Sequence, residues 1–126
     1  MNQRILLADD EQYTRELYEE LLKEAGFDVV AVGDGEAALA KAQEGGFDLI
    51  VLDIIMPRKD GISFLKDYQA VRPQNPNGKI VMLTVLGEDQ MIKTCIELGA
   101  VGYLVKSDLT PDKVVEEVKN YLTPAN

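Results

Sequence analysis

The sequence predicts an α/β fold in which a five-stranded parallel sheet carries helices on both faces. Short continuous apolar runs, the pattern of strands buried on both sides, alternate with segments whose apolar residues recur at helical spacing. The alternation occurs five times, and each crossover helix must return the chain to the same edge, which makes the sheet parallel. It uses essentially all 126 residues, so the chain reads as a single domain spanning 1–126.

Arg4–Ala8 forms the first strand and runs into Asp9 and Asp10. Leu17, Tyr18, Leu21, Leu22 and Ala25 make the apolar stripe of the first helix, with Gly26 ending it at the C′ position. Phe27–Val32 is short and rich in β-branched residues, a second strand bounded by Gly33-Asp34-Gly35. Asp34 caps a second helix that turns Ala37, Ala38, Leu39 and Ala42 inward, and Gly45-Gly46 stops it. Leu49–Leu52 is the third strand and runs into Asp53. Met56–Gly61 is a loop, Ile62, Leu65 and Tyr68 open a third helix, and Pro73, Pro76 and Gly78 make the next connection irregular. Lys79–Leu83 is a fourth strand ending at Thr84, followed by a helix from about Glu88 to Leu98. Gly102–Val105 ends at Lys106, and a last helix follows Pro111, capped by Thr110 and burying Val114, Val115, Val118 and Leu122.

Composition narrows the function. With 46% hydrophobic and 28% charged residues the chain has the make-up of a globular domain. Thirteen basic against twenty-two acidic residues give −9, which argues against phosphate-backbone binding and so against direct nucleic-acid recognition. The absence of histidine excludes a histidine-based triad or a histidine-ligated metal. Cys95, the one cysteine, lies at helical spacing from Met91 and Ile92 and is expected as a buried core thiol. The first apolar run is too short for a signal peptide and no stretch approaches membrane-spanning length. A cytoplasmic location without membrane association is expected.

Ligands of open parallel sheets bind outside the carboxyl ends of the strands. Asp9, Asp10, Asp53, Thr84 and Lys106 all fall at such ends. Each has a plainer reading alone: Asp9-Asp10 as a cap of the first helix, Thr84 as a strand-favouring residue, Lys106 as a surface lysine. Together they make a site. Clustered carboxylates repel by roughly 1–4 kcal/mol per close pair, and a hard cation such as Mg²⁺, which takes one or two carboxylates plus waters and phosphate oxygens, offsets this. An aspartate can also act as a nucleophile and form an aspartyl-phosphate, with Lys106 and Thr84 meeting the equatorial oxygens.

In Ala8-Asp9-Asp10-Glu11, Leu52-Asp53-Ile54-Ile55-Met56-Pro57, Gly61, Leu83-Thr84 and Gly102-Tyr103-Leu104-Val105-Lys106 the chain resembles the receiver domain of two-component response regulators, over Arg4 to about Leu122. The resemblance implies a flavodoxin-like (βα)5 fold with strand order 2-1-3-4-5, an order the residues alone do not give. It implies that Asp53 accepts a phosphoryl group from a histidine kinase or histidine phosphotransfer protein. It further implies Mg²⁺, or Mn²⁺ in its place, on Asp9, Asp10, Asp53 and the backbone carbonyl of Ile55. Lys106 would pair with the phosphoryl oxygens and Thr84 would move to hydrogen-bond one of them. Tyr103 would rotate inward behind Thr84 and reshape the face formed by the fourth helix, fifth strand and fifth helix. A half-buried strand tyrosine packing on the fourth helix is the plainer reading of Tyr103. By the same analogy kinase docking involves Gln12–Arg15.

The chain departs from that family at three places. Ser107 stands where a cis-proline is common, so a trans link or a different loop path is expected, with Lys106 less firmly held, since a non-proline cis bond costs about 2.5–4 kcal/mol. Val85 replaces a very small residue, and Ile55 and Leu86 are apolar where relatives are often polar. These side chains are expected to hinder water and prolong the phosphorylated state. The leading function is a signalling switch with no separate substrate and a downstream protein as its target. The alternative is a receiver-like module that binds without phosphorylation. A phosphatase with an aspartate nucleophile would need a second aspartate where Ile55 stands, and Gly33-Asp34-Gly35 lacks the Lys-Ser/Thr ending of a phosphate loop. The tail Thr123-Pro124-Ala125-Asn126 is compatible with a complete protein or an excised receiver.

Overall fold

The computed structural model describes residues 2–85 and 88–123. Leu86 and the tail residues Pro124–Asn126, both named above, lie outside the described residues. In chain order the elements are β1 (Arg4–Ala8), α1 (Gln12–Glu24), β2 (Asp28–Val32), α2 (Gly35–Glu44), β3 (Leu49–Asp53), α3 (Gly61–Tyr68), β4 (Lys79–Thr84), α4 (Asp89–Glu97), β5 (Gly102–Val105), a 3₁₀ turn (Lys106–Asp108) and α5 (Pro111–Leu122). The strands form one parallel sheet in the order β2-β1-β3-β4-β5.

Strand side chains alternate between two cores. Leu6, Ala8, Ile50, Leu52 and Met82 pack with Ala38, Ala42, Phe64, Leu65 and Cys95 of α2, α3 and α4. Ile5, Leu7, Leu49, Val51, Val81, Leu83 and Leu104 pack with Tyr18, Leu22, Val114 and Val118 of α1 and α5. Each fully buried aliphatic contributes about 1.5–3 kcal/mol, so the sheet is held from both sides. Cys95 is fully buried, as its spacing predicts.

Two boundaries differ from expectation for local reasons. Phe27 is not yet strand: its amide donates to the Leu22 carbonyl at 3.1 Å while Gly26, at φ +99°, donates to Lys23 at 3.0 Å, a Schellman end to α1. The helix cap is Glu11, not Asp9 or Asp10; its carboxylate accepts from Tyr13 N–H at 3.3 Å and Thr14 N–H at 2.6 Å. The two aspartates are thereby left for other work. Asp34 caps α2 through the Ala37 amide at 2.8 Å, as expected. Thr110 occupies the cap position of α5 but makes no capping hydrogen bond through its side chain.

Candidate functional site

The registers Ala8↔Leu52, Asp53↔Leu83 and Thr84↔Val105 bring four strand ends to one level. Asp9 follows β1 and is fully buried, while the adjacent Asp10 turns to solvent. Asp53 closes β3 and Thr84 closes β4, both buried. Lys106 follows β5 and reaches back over the edge, its ammonium 2.7 Å from Asp9 Oδ2 and 2.9 Å from Asp53 Oδ2. The ends of three strands thus meet in one ion cluster. The reading of Lys106 as a solvated surface lysine does not hold, since its side chain is only 14% exposed.

The remaining carboxylate valences show what the cluster can hold. Asp53 Oδ1 accepts from the Ile55 amide at 3.2 Å, and Asp9 Oδ1 from the Glu11 amide at 3.0 Å. Asp9 Oδ2 is ion-paired with Lys106 yet, although buried, makes no well-aligned hydrogen bond. Asp9, Asp10 and Asp53 each place an oxygen within 4.8 Å of the other two. A buried carboxylate oxygen short of partners, in an all-oxygen set open to water at Asp10, suits a small hard cation that keeps several waters. The residues therefore fit Mg²⁺.

Burial pushes the Asp53 carboxyl above its usual range; the Lys106 hydrogen bond and charge pull it back only in part, and Asp9 adds to the rise. Burial alone would lower the Lys106 ammonium, but its close contacts with the Asp9 and Asp53 carboxylates outweigh that and raise it. Lys106 is thus held as a cation beside a carboxylate that is costly to charge.

The local backbone explains why the loop after Asp53 can come so close. Gly61 donates to the Ile54 carbonyl at 2.7 Å, and a Cβ there would lie 2.7 Å from the Asp53 carbonyl and 2.8 Å from Ile54 Cα. Glycine is required by contact. At the mouth, Ile55 (66% exposed) and Val85 (57% exposed) line an apolar cavity of about 130 Å³ with Thr84, Glu88 and Met91. The link between Lys106 and Ser107 is trans, as expected, and Lys106 is anchored all the same by its two carboxylates.

Tyr103 stands on β5 with 46% of its surface exposed, a half-buried strand tyrosine. Two neighbours escaped sequence reasoning. Tyr18 is buried close enough to feel the charges of Lys106, Asp9 and Asp53, with burial the main cause of its raised pKa. Arg15 donates to the Asp9 carbonyl at 2.9 Å. The helical spacing of Tyr18 gave only its burial, and Arg15 entered only through the kinase-docking analogy for Gln12–Arg15, with no sign of its contact with Asp9.

A doubly wound parallel sheet with an acidic cluster at its carboxyl edge defines a flavodoxin-like domain of the receiver type. The chain belongs to the response regulator receiver domain family, whose family model matches residues 5–119. It is 34% identical over 123 residues to the chemotaxis protein CheY of Bacillus subtilis, covering 97% of this chain and 99% of that one. It is 39% identical over 122 residues to the alkaline phosphatase synthesis transcriptional regulatory protein PhoP of the same organism, covering 97% of this chain but 49% of that longer protein. The CheY-like receiver domain from Methanospirillum hungatei superposes with a TM-score of 0.85 at 25% identity, covering 97% of this chain and 94% of that one. Among the described residues no helix is long and apolar enough to cross a membrane.

Proposed function

We propose that this chain is a phosphorylation-dependent switch of a two-component phosphorelay, with Asp53 as the phosphoryl acceptor and a histidine kinase or histidine phosphotransfer protein as the donor. The observation that carries the reading is the Lys106 ammonium shared between Asp53 and Asp9 at 2.9 and 2.7 Å beside a three-carboxylate cluster. In the step, an Asp53 carboxylate oxygen bonds to phosphorus as the bond from phosphorus to the donor nitrogen breaks. Lys106 would neutralise the incoming charge, and Thr84 would donate its hydroxyl to a phosphoryl oxygen. Asp9, Asp10, Asp53 and the Ile55 carbonyl would hold Mg²⁺, with Mn²⁺ as a substitute; the ion supplies charge neutralisation at the phosphoryl oxygens.

The added group brings close to two negative charges and three acceptors to one point. Thr84 and Lys106 satisfy them by closing their loops, which biases a two-state equilibrium that includes inward rotation of Tyr103. Ile96, Val101 and Tyr103, 43%, 50% and 46% exposed, put apolar surface on the face of α4, β5 and α5, which supports that face as the contact for a downstream protein. The domain has no separate substrate and, with its charge of −9, no direct role on nucleic acid.

Intact mass after incubation with acetyl phosphate tests the reading. Gain of one phosphoryl group with Mg²⁺, lost with chelator and in Asp53→Asn, is expected; no gain from acetyl phosphate or from a phosphorylated histidine donor would leave a binding module that needs no phosphorylation. The exposed apolar pair Ile55 and Val85 supports a long-lived phosphorylated state. Val85→Ala is expected to speed phosphoryl loss several-fold, and equal rates would reject the hindrance.

A further inference from the structure

The ladder between β4 and β5 ends at the pair Thr84↔Val105. Beyond it the Ser107 hydroxyl donates to the Val85 carbonyl at 2.9 Å. It ties together the two segments leaving these strands. One carries Thr84 and Val85; the other carries Lys106, itself held by Asp9 and Asp53. Ser107 and Val85 are exposed, so water could satisfy either group and the bond is not required to rescue a buried one. It joins the Lys106 loop directly to the backbone of Val85. The Val85 side chain in turn borders the apolar cavity at the mouth of the site with Ile55 and Thr84. A proline at 107, which has no hydroxyl, could not make this link.

We propose that Ser107 is a positioning residue whose hydroxyl holds Val85 over the mouth of the Asp53 site and couples the end of β4 to the Lys106 loop. The role rests on the phosphoryl chemistry proposed for Asp53. Phosphoryl loss is attack of a water oxygen on phosphorus with cleavage of the bond to the Asp53 carboxylate, releasing inorganic phosphate and a proton. Freeing Val85 opens the approach of that water. One hydrogen bond of this kind corresponds to about a two- to tenfold change in rate.

The test uses the full chain as wild type, Ser107→Ala, Ser107→Thr, Val85→Ala and the Ser107→Ala/Val85→Ala double variant. Each is loaded with acetyl phosphate and Mg²⁺, the donor is removed, and the phosphorylated fraction is followed by intact mass. Ser107→Ala should lose the group two- to tenfold faster (about the range for one hydrogen bond), and Ser107→Thr, which keeps the hydroxyl, should stay near wild type. In the Val85→Ala background removing the hydroxyl should change little, the non-additivity of residues that act through one another. Hydrogen exchange on the unphosphorylated proteins reads the tether directly, with faster exchange in the segment after β4 for Ser107→Ala and not for Ser107→Thr. Unchanged exchange, equal decay of Ser107→Ala and wild type, or full additivity in the double variant would each overturn the role. If no protein takes up a phosphoryl group from acetyl phosphate or from a phosphorylated histidine donor, the proposed function fails and the role with it; if all take it up and decay alike, Ser107 alone is refuted.

Discussion

Asp53 is a buried carboxylate facing a second buried carboxylate, Asp9, with one shared ammonium between them. Its carboxyl is raised above the ordinary range, chiefly by burial, so folding disfavours its charged form. For an acid shifted this way the destabilisation begins as pH rises past the unfolded value, about 3.9, and is complete above the folded one. Asp53→Asn is therefore expected to unfold at a higher urea concentration than wild type at neutral pH without metal, with the gap narrowing as pH falls toward 4 (about the unfolded carboxylate value). Urea midpoints across that range check it, and a variant less stable at neutral pH would show that the lost Lys106 contact outweighs the relieved charge.

The ends of elements explain more of the site than their interiors. Because Glu11 takes the cap of α1, Asp9 and Asp10 are spared from helix capping. Because Gly61 opens α3 against the Asp53 and Ile54 backbone, the loop bearing Ile55 folds tightly under the cluster. Two glycine substitutions separate stability from site geometry. Gly26→Ala meets no atom within 4 Å but carries a φ of +99°, so about 1–2 kcal/mol of stability should be lost with metal binding unchanged. Gly61→Ala has an ordinary φ but meets backbone at 2.7 Å, so weakened Mg²⁺ binding and slower phosphoryl uptake are expected. Denaturant unfolding and metal titration on both variants read the contrast, which fails if Gly26→Ala disturbs the metal as much as Gly61→Ala does.

For the whole molecule, three carboxylates within 4.8 Å make the folded state a better ligand than the unfolded chain, which scatters them. Mg²⁺ should raise the unfolding free energy by about 1.4 kcal/mol at a free concentration ten times its Kd. The gain should disappear in Asp9→Asn and in Asp53→Asn. Thermal or urea unfolding with Mg²⁺ against chelator measures it; a gain retained in both variants would place the metal elsewhere. The two cores make this coupling effective, since β1, β3 and β4 are locked by side chains on both faces and their ends cannot spread independently.

By itself the sequence determined the alternation of strands and helices, the buried faces and the residues that end each strand. Apolar period and turn residues are local properties, written within a few positions of each other. Asp9, Asp53, Thr84 and Lys106 were legible for the same reason: each directly follows or closes an apolar run. Only the tertiary structure decided that Lys106 bridges Asp9 and Asp53, that Glu11 rather than an aspartate caps α1, that Tyr18 lies near the charges, and that Ser107 reaches Val85. These are contacts between groups on different segments of the chain or choices between adjacent acids. They follow from sheet register and backbone direction at loop ends, which no local pattern encodes.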